Sequence, residues 1–161
     1  MLDFQQIIQD HHPILYKIER VYSDEEDFDD LYQEMLIAIW KSTKNFKGQS
    51  KLSTWLYRVA LNTALSYNKI KKRKQKSSVN LDQAPIQSYD QSNEEVMDQD
   101  RVDALLNAIQ QLKEDERLII LLYLEKKDYE EISDIMGITK SNVGVKINRI
   151  IPMKMVLSMF V

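Results

Sequence analysis

The chain has 161 residues, no cysteine, three glycines, three prolines and a formal net charge of −3. Without cysteine it has neither a disulfide framework nor a thiolate metal site, which fits a reducing cytoplasm; no apolar run approaches the ~20 residues of a membrane span, and "MLDFQQIIQDHHP" lacks the basic start and apolar core of a signal peptide. Scarce glycine and proline, runs of Leu, Ile, Lys, Glu and Gln, and little period-2 alternation predict an all-α fold, with length for one ordinary domain or two small ones.

Residues 4–22 read as one amphipathic helix or two, with Phe4, Ile7 and Ile8 before Pro13 and Ile14, Leu15, Ile18 and Val21 after it. Proline is tolerated in a first helical turn, so Pro13 is expected to start the second piece. "SDEEDFDD" supplies a cap and an acidic first turn for a helix from about Asp27 to Ser42, with Leu31, Met35, Ala38 and Ile39 inward. "TKNFKGQSK" breaks it. Ser53 or Thr54 is expected to cap a third helix that buries Leu56, Val59, Ala60 and Thr63. Residues 75–95 are polar and aperiodic and read as a linker. Beyond it, Val102, Leu105, Leu106, Ile109 and Leu112 form an apolar stripe, and "KEDERLIILLYLEK" forms another helix.

"YEEISDIMGITKSNVGVKINRI" has the spacing of a helix-turn-helix. Ile132 and Met136 face inward, and Ser133 is small enough for close helix approach. Gly137 supplies the left-handed residue at the helix end. Ile138 plugs the turn, Thr139 or Ser141 caps the next helix, and Val143 and Ile147 return to the core. Lys140, Ser141, Asn142, Lys146 and Arg149 remain outward, donors suited to phosphates and base edges in a major groove. A plain αα-corner of a helical bundle shares this spacing.

Charge is strongly segregated. Residues 1–40 carry 2 bases and 10 acids, 41–76 carry 11 bases and no acid, 77–134 carry 5 bases and 15 acids, and 135–161 carry 4 bases and no acid. Two basic blocks separated by acidic ones imply two anionic contact sites, unless each is simply a solvated helix face.

Taken together, "DDLYQEMLIAIWKSTKNFKGQSKLSTWLYRVALNTALSYNKIKKR" and "LLNAIQQLKEDERLIILLYLEKKDYEEISDIMGITKSNVGVKINR" resemble the RNA polymerase sigma factors of the extracytoplasmic-function group, in the sigma-70 family. The resemblance implies two helical domains: sigma region 2 at 1–76, a flexible linker at 77–98, and sigma region 4 at 99–161. It implies core RNA polymerase, promoter DNA and an anti-sigma factor as partners, in the cytoplasm and without membrane insertion. Asp30, Gln33 and Glu34 would dock on the clamp helices of the largest polymerase subunit, with Leu31 packing partly inward. The loop Lys44–Ser50, through Lys44, Asn45, Phe46, Lys47 and Ser50, would cradle a flipped base. Trp55, Tyr57, Arg58 and Asn62 would lie on the strand-separating face, with Trp55 equally readable as core. Lys69, Lys71, Lys72 and Arg73 would hold phosphates, and Thr139 joins the outward residues of the recognition helix.

The chain departs from the family at its end, "IIPMKMVLSMFV", where Pro152 is expected to stop or kink the recognition helix. Two other functions share parts of the pattern: a helix-turn-helix regulator acting without polymerase, and a helical interaction module. No enzyme, cofactor or metal is expected. His11 and His12 are adjacent and point about 100° apart on a helix, and Asp24–Asp30 lacks the glycine and alternating ligands of a calcium loop.

Overall fold

The computed structural model describes residues 2–77 and 96–159, with side chains described for 2–76 and 99–150. Among the described residues there are helices and no strand, as composition requires. The expected linker falls almost wholly on 78–95, outside the described residues.

The first half is three helices: α1 (Phe4–Tyr22), α2 (Phe28–Ser42) and α3 (Leu52–Ser77). α1 starts at Asp3, whose side chain accepts from the Gln5 amide at 3.1 Å. It is one helix with Pro13 inside it, not two pieces. Pro13 is exposed and deprives only the Gln9 carbonyl of its amide partner, and His12 Nδ1 sits 3.4 Å from that carbonyl. Ser23, expected in the next helix's cap, instead closes α1: its amide and its Oγ both donate to the Glu19 carbonyl, at 3.0 and 2.7 Å. A 3₁₀ turn (Glu25–Asp27) leads into α2, which carries Asp29 and Asp30 in its first turn, where the helix dipole favours anions. A second 3₁₀ turn (Thr43–Asn45) and a loop turned by Gly48 at φ +72° end it. α3 begins at Leu52, so Ser53 and Thr54 lie inside its first turn rather than capping it. Leu15, Ile18, Leu31, Met35, Ile39 and Leu56 are buried between these helices, and Ala60 and Ala64, one turn apart, let α3 approach closely. Each large side chain so buried contributes about 1.5–3 kcal/mol.

The second half is α4 (Val96–Gln110), α5 (Glu114–Leu124), α6 (Tyr129–Met136) and α7 (Lys140–Met159). Ile109 and Leu112 are buried and Leu105 and Leu106 half-buried, but Val102, expected in their stripe, is exposed. Helix α7 runs through Pro152 to Met159 rather than stopping there.

The halves dock on one another, and α1's end explains how. A helix leaves its last four carbonyls without partners from within it, and here a side chain reaches every one, joined at Glu19 by the Ser23 amide. The Glu19 carbonyl goes to Ser23. Gln110 Nε2 donates to the Arg20 carbonyl at 2.7 Å and to that of Ser23 at 3.2 Å. Arg117 Nη1 donates to Val21 at 3.3 Å and Asn68 Nδ2 to Tyr22 at 2.7 Å. Gln110 and Arg117 belong to the second half, so α1 is capped from across the interface. Tyr22 is buried beside them; its hydroxyl donates to the Glu114 carbonyl at 2.7 Å and accepts from the Leu118 amide at 3.2 Å. Ion pairs Lys17–Glu125, Arg20–Asp103 and Lys72–Glu114 ring this contact.

Candidate functional site

On α2, Asp30, Gln33 and Glu34 are exposed along one face, as expected. Leu31 is not part of that face. It is wholly buried, because its 100° offset from Asp30 turns it into the three-helix core. The polar face continues into two residues that pattern reading passed over, Ile37 and Trp40, exposed by 47% and 54%. The Lys44 ammonium sits 5.6 Å from the Trp40 ring centroid. An exposed tryptophan beside a polar stripe is the composition of an interface.

The loop after α2 presents Lys44, Asn45 and Lys47 to solvent, with Phe46 and Ser50 half-buried. Phe46 packs on Trp55 with ring centroids 5.0 Å apart. Trp55 is therefore half core and half face: it anchors the loop from the first turn of α3. Arg58 and Asn62 are one turn apart and both exposed. Tyr57 is not beside them. It lies 100° around the helix, only 3% exposed, and its hydroxyl donates to Glu125 Oε2 at 3.2 Å. Burial, and then the Glu125 charge, push its phenol pKa upward, so it remains a protonated donor.

The basic end of α3 is also divided. Lys69, Lys72 and Arg73 are exposed, although Lys72 reaches Glu114 at 2.8 Å. Lys71 turns back onto Asp27 and Asp24. Burial works against its charge, but Asp27 outweighs burial and raises its pKa. Tyr67 donates to the other Asp27 oxygen at 3.1 Å, its own pKa pushed up to about 12 by burial and then Asp27. Between α2 and α3 a groove of about 550 Å³ runs from Glu34 past Asn62, Thr63, Tyr67 and Ile70 to Lys74.

In the second half the helix-turn-helix reading meets its geometry in detail. Gly137 has φ +69° and its amide donates to the Ser133 carbonyl at 2.9 Å. Ser133 Oγ donates to the Ile138 carbonyl, tying the turn. Thr139 Oγ1 accepts from the Asn142 amide at 3.1 Å, which caps α7. Ile132, Val143 and Ile147 are buried; Ile135 takes the deeper place beside Ile132, leaving Met136 half-buried. Lys140, Ser141, Asn142 and Arg149 are exposed, and Lys140 also lies 3.4 Å from Glu130. Lys146 is not free in the same way: its side chain is 19% exposed and pairs with Asp115 on α5. Val145, by contrast, is 53% exposed on the outward face. Inward/outward periodicity had marked only the polar residues there.

Among the described residues, no three of His, Cys, Asp or Glu converge as a metal site, and no helix is long and apolar enough to cross a membrane.

Residues 7–75 match the family described as Sigma-70 region 2, and residues 103–151 match Sigma-70, region 4. The RNA polymerase sigma-H factor of Pseudomonas aeruginosa is 32% identical over 152 residues, covering 89% of this chain and 79% of its own. The ECF RNA polymerase sigma-E factor of Haemophilus influenzae is 30% identical over 137 residues, covering 80% and 72%. Among solved structures, the sigma factor RpoE in complex with the anti-sigma factor NepR from Bartonella quintana matches with a TM-score of 0.71 at 22% identity, over 98% of this chain and 96% of the other. CnrH in complex with the cytosolic domain of CnrY gives 0.63 at 20%, over 97% and 85%. These two share the fold.

Proposed function

Because the chain belongs to the extracytoplasmic-function group of the sigma-70 family, whose members direct core RNA polymerase to promoters as non-catalytic subunits, we propose a division of labour among its three faces. The exposed stripe of α2 docks on core polymerase through Asp30, Gln33 and Glu34, extended by Ile37 and Trp40, with Leu31 holding the stripe in place from the core. A charged rim around an apolar centre favours specificity of docking. The loop 44–50 receives an unstacked base, closed from behind by the Phe46–Trp55 pair. Arg58 and Asn62 line the melted strand, and Lys69, Lys72 and Arg73 follow its phosphates, since single-strand binding combines a basic track with aromatic surfaces. α7 enters the major groove of an upstream element through Lys140, Ser141, Asn142, Val145 and Arg149, with Thr139 fixing its first turn. The domain limits are those of the sequence reading: 1–76, a linker at 77–98, and 99–161. An anti-sigma partner belongs to the proposal, since one solved neighbour is bound to such a factor. Action in the cytoplasm, with no cofactor and no catalytic centre, completes it.

The observation that supports this most is the pairing of an exposed acidic stripe on α2 with an acid-free, basic α3 beside it. Reconstitution with core polymerase tests it. Glu34→Lys should weaken core binding about tenfold or more with the circular dichroism of the helices unchanged. Asn62→Ala with Arg58→Ala should leave core binding intact and reduce permanganate reactivity of promoter thymines. A template mismatched across the melted region should recover much of the loss, because the unpairing cost is already met. Unchanged thymine reactivity on fully paired DNA would remove strand capture from α3.

A further inference from the structure

Two helix ends in the second half are closed by a residue in the left-handed region. At the end of α6 that residue is Gly137, φ +69°, and the Ile138 amide reaches back to the Ser133 carbonyl at 3.3 Å. At the end of α5 it is Lys126, φ +64°. Its amide donates to the Tyr123 carbonyl at 3.0 Å, and that of Lys127 to the Leu122 carbonyl at 3.1 Å, the paired bonds of a Schellman turn. Glycine, and after it asparagine, suits this position, because a Cβ crowds the backbone there. Among the described residues Lys126 is the one non-glycine with positive φ. A strained backbone position occupied by a long cation directs attention to its side chain. That side chain is exposed and makes no hydrogen bond or ion pair among the described residues. Its neighbours differ: Lys127 pairs with Glu131 at 3.5 Å, and Lys140 with Glu130 at 3.4 Å. The carboxylates of α6's first turn are thereby engaged, and Lys126 is left to meet an anion from outside.

The turn also lies beside the recognition helix. On α7, Gly144 and Lys146 stand about 100° to either side of the outward Val145. A Cβ on Gly144 would meet the Tyr129 ring at 3.5 Å, whereas Lys146 pairs with Asp115. The start of α6 thus borders one side of the outward face and the start of α5 the other. Lys126 lies a short step before Tyr129 in sequence, so its Cα is within about 11 Å of that border. We propose that Lys126 holds a phosphate of the upstream duplex, on the bank of the major groove that α6 borders. The inference rests on the entry of α7 into that groove proposed above. In such docking the first helix of the motif crosses the DNA backbone, which carries the turn before α6 to the phosphates. Arg149 stands about 40° toward the Lys146 side of Val145, so the two cations address opposite banks. A rival account keeps Lys126 within the fold, since the dipole of α5 favours a cation near its end. On that account, removing the charge lowers stability and leaves DNA binding unchanged.

The test sets stability against binding. Its probe is a duplex that the wild-type chain, reconstituted with core polymerase, enriches from a random-sequence pool. Lys126→Gly and Lys126→Asn suit the left-handed backbone, so the free chain should melt about 2–4 °C higher. With core polymerase, both should bind the duplex less tightly than wild type, with a salt slope shallower by about 0.9. Their deficit should therefore shrink about 3.5-fold between about 50 and 200 mM salt. Lys126→Gln should lose the same slope without gaining stability, and Lys126→Arg should keep the wild-type slope. Methylphosphonate placed at each phosphate in turn should weaken wild type at one position to which Lys126→Gln is indifferent. Wild-type slopes in Lys126→Gly and Lys126→Gln, or the lack of any such position, overturn the proposal. If Arg149→Ala flattens the slope and Lys126→Gln does not, α7 reads the groove while Lys126 serves α5 alone, and the proposal falls by itself. If neither flattens it, the major-groove reading of α7 fails, and the phosphate site with it.

Discussion

On the outward face of α7, Val145 stands among donors with more than half its surface in solvent, although the same helix buries Val143 and Ile147 completely. A branched apolar group held there can meet the C5-methyl of thymine, the one apolar feature of the major-groove edge. Burying one methyl contributes about 0.8 kcal/mol, close to fourfold in affinity. Replacing thymines of the upstream element by uracil, one at a time, should therefore weaken wild type about fourfold at one position. Val145→Ala should be insensitive there while keeping its other preferences. Arg149 and Lys146 separate on the same helix. Arg149 is exposed, whereas Lys146 is engaged by Asp115, and that ion pair holds the Asp115 carboxyl below its ordinary pKa. Arg149→Ala should lower the salt slope of DNA binding by about one unit, the signature of one lost phosphate contact. Lys146→Ala should move the slope less and instead lower folding stability by about 0.5 kcal/mol, the scale of a partly exposed pair.

The turn between α6 and α7 depends on Gly137, whose φ of +69° places any side chain in the left-handed region. The position has room for a methyl group, so Gly137→Ala meets backbone strain alone, and denaturant melts should show a loss of about 1 kcal/mol. This element was legible in the sequence because its determinants are local: a cap, a glycine and apolar residues spaced within 20 positions. The fate of Tyr57 and of α1's end was not, because these depend on partners 46 to 96 residues away, which no local period encodes. Lys71 was misplaced for a related reason, since its basic run looked uniform until Asp27 of another element claimed one member. The seam of α1 against α2 carries a further hidden feature. Burial, and then the charge of Asp29, lift Glu19 from an ordinary 4.5 to about 7, Arg20 opposing them. The folded state thus holds this proton more tightly than the unfolded state, so its contribution is complete below pH 4.5 and fades as pH rises through 7. Glu19→Gln should stabilise the fold by about 1 kcal/mol at pH 8 relative to wild type and change little at pH 4, a difference that thermal melts at the two pH values would read.

At the scale of the whole molecule, the net charge of −3 conceals two acidic and two basic blocks, and the fold brings opposite blocks together. Lys71 and Lys72 of the first basic block meet Asp27 and Glu114, and Lys140 and Lys146 of the second meet Glu130 and Asp115. Lys72, proposed to hold a phosphate, is therefore contested by Glu114 of the same chain, and ionic strength acts on both sides of that competition. Added salt weakens single-strand binding through lost counterion release, with a slope near −0.7 per phosphate contact. The same salt screens the Lys72–Glu114 pair, since the Debye length falls from about 10 Å at 0.1 M to about 3 Å at 1 M. These effects oppose one another only where a carboxylate of the chain competes with a phosphate. The wild-type affinity for single-stranded DNA should therefore fall less steeply with salt than that of a Glu114→Gln variant, by up to about 0.7 of a unit of slope. The two curves should converge at high salt, where the Lys72–Glu114 pair is screened. Titrations by fluorescence anisotropy across this range measure the difference. Parallel lines would mean that the carboxylates of the second half do not compete with DNA for α3.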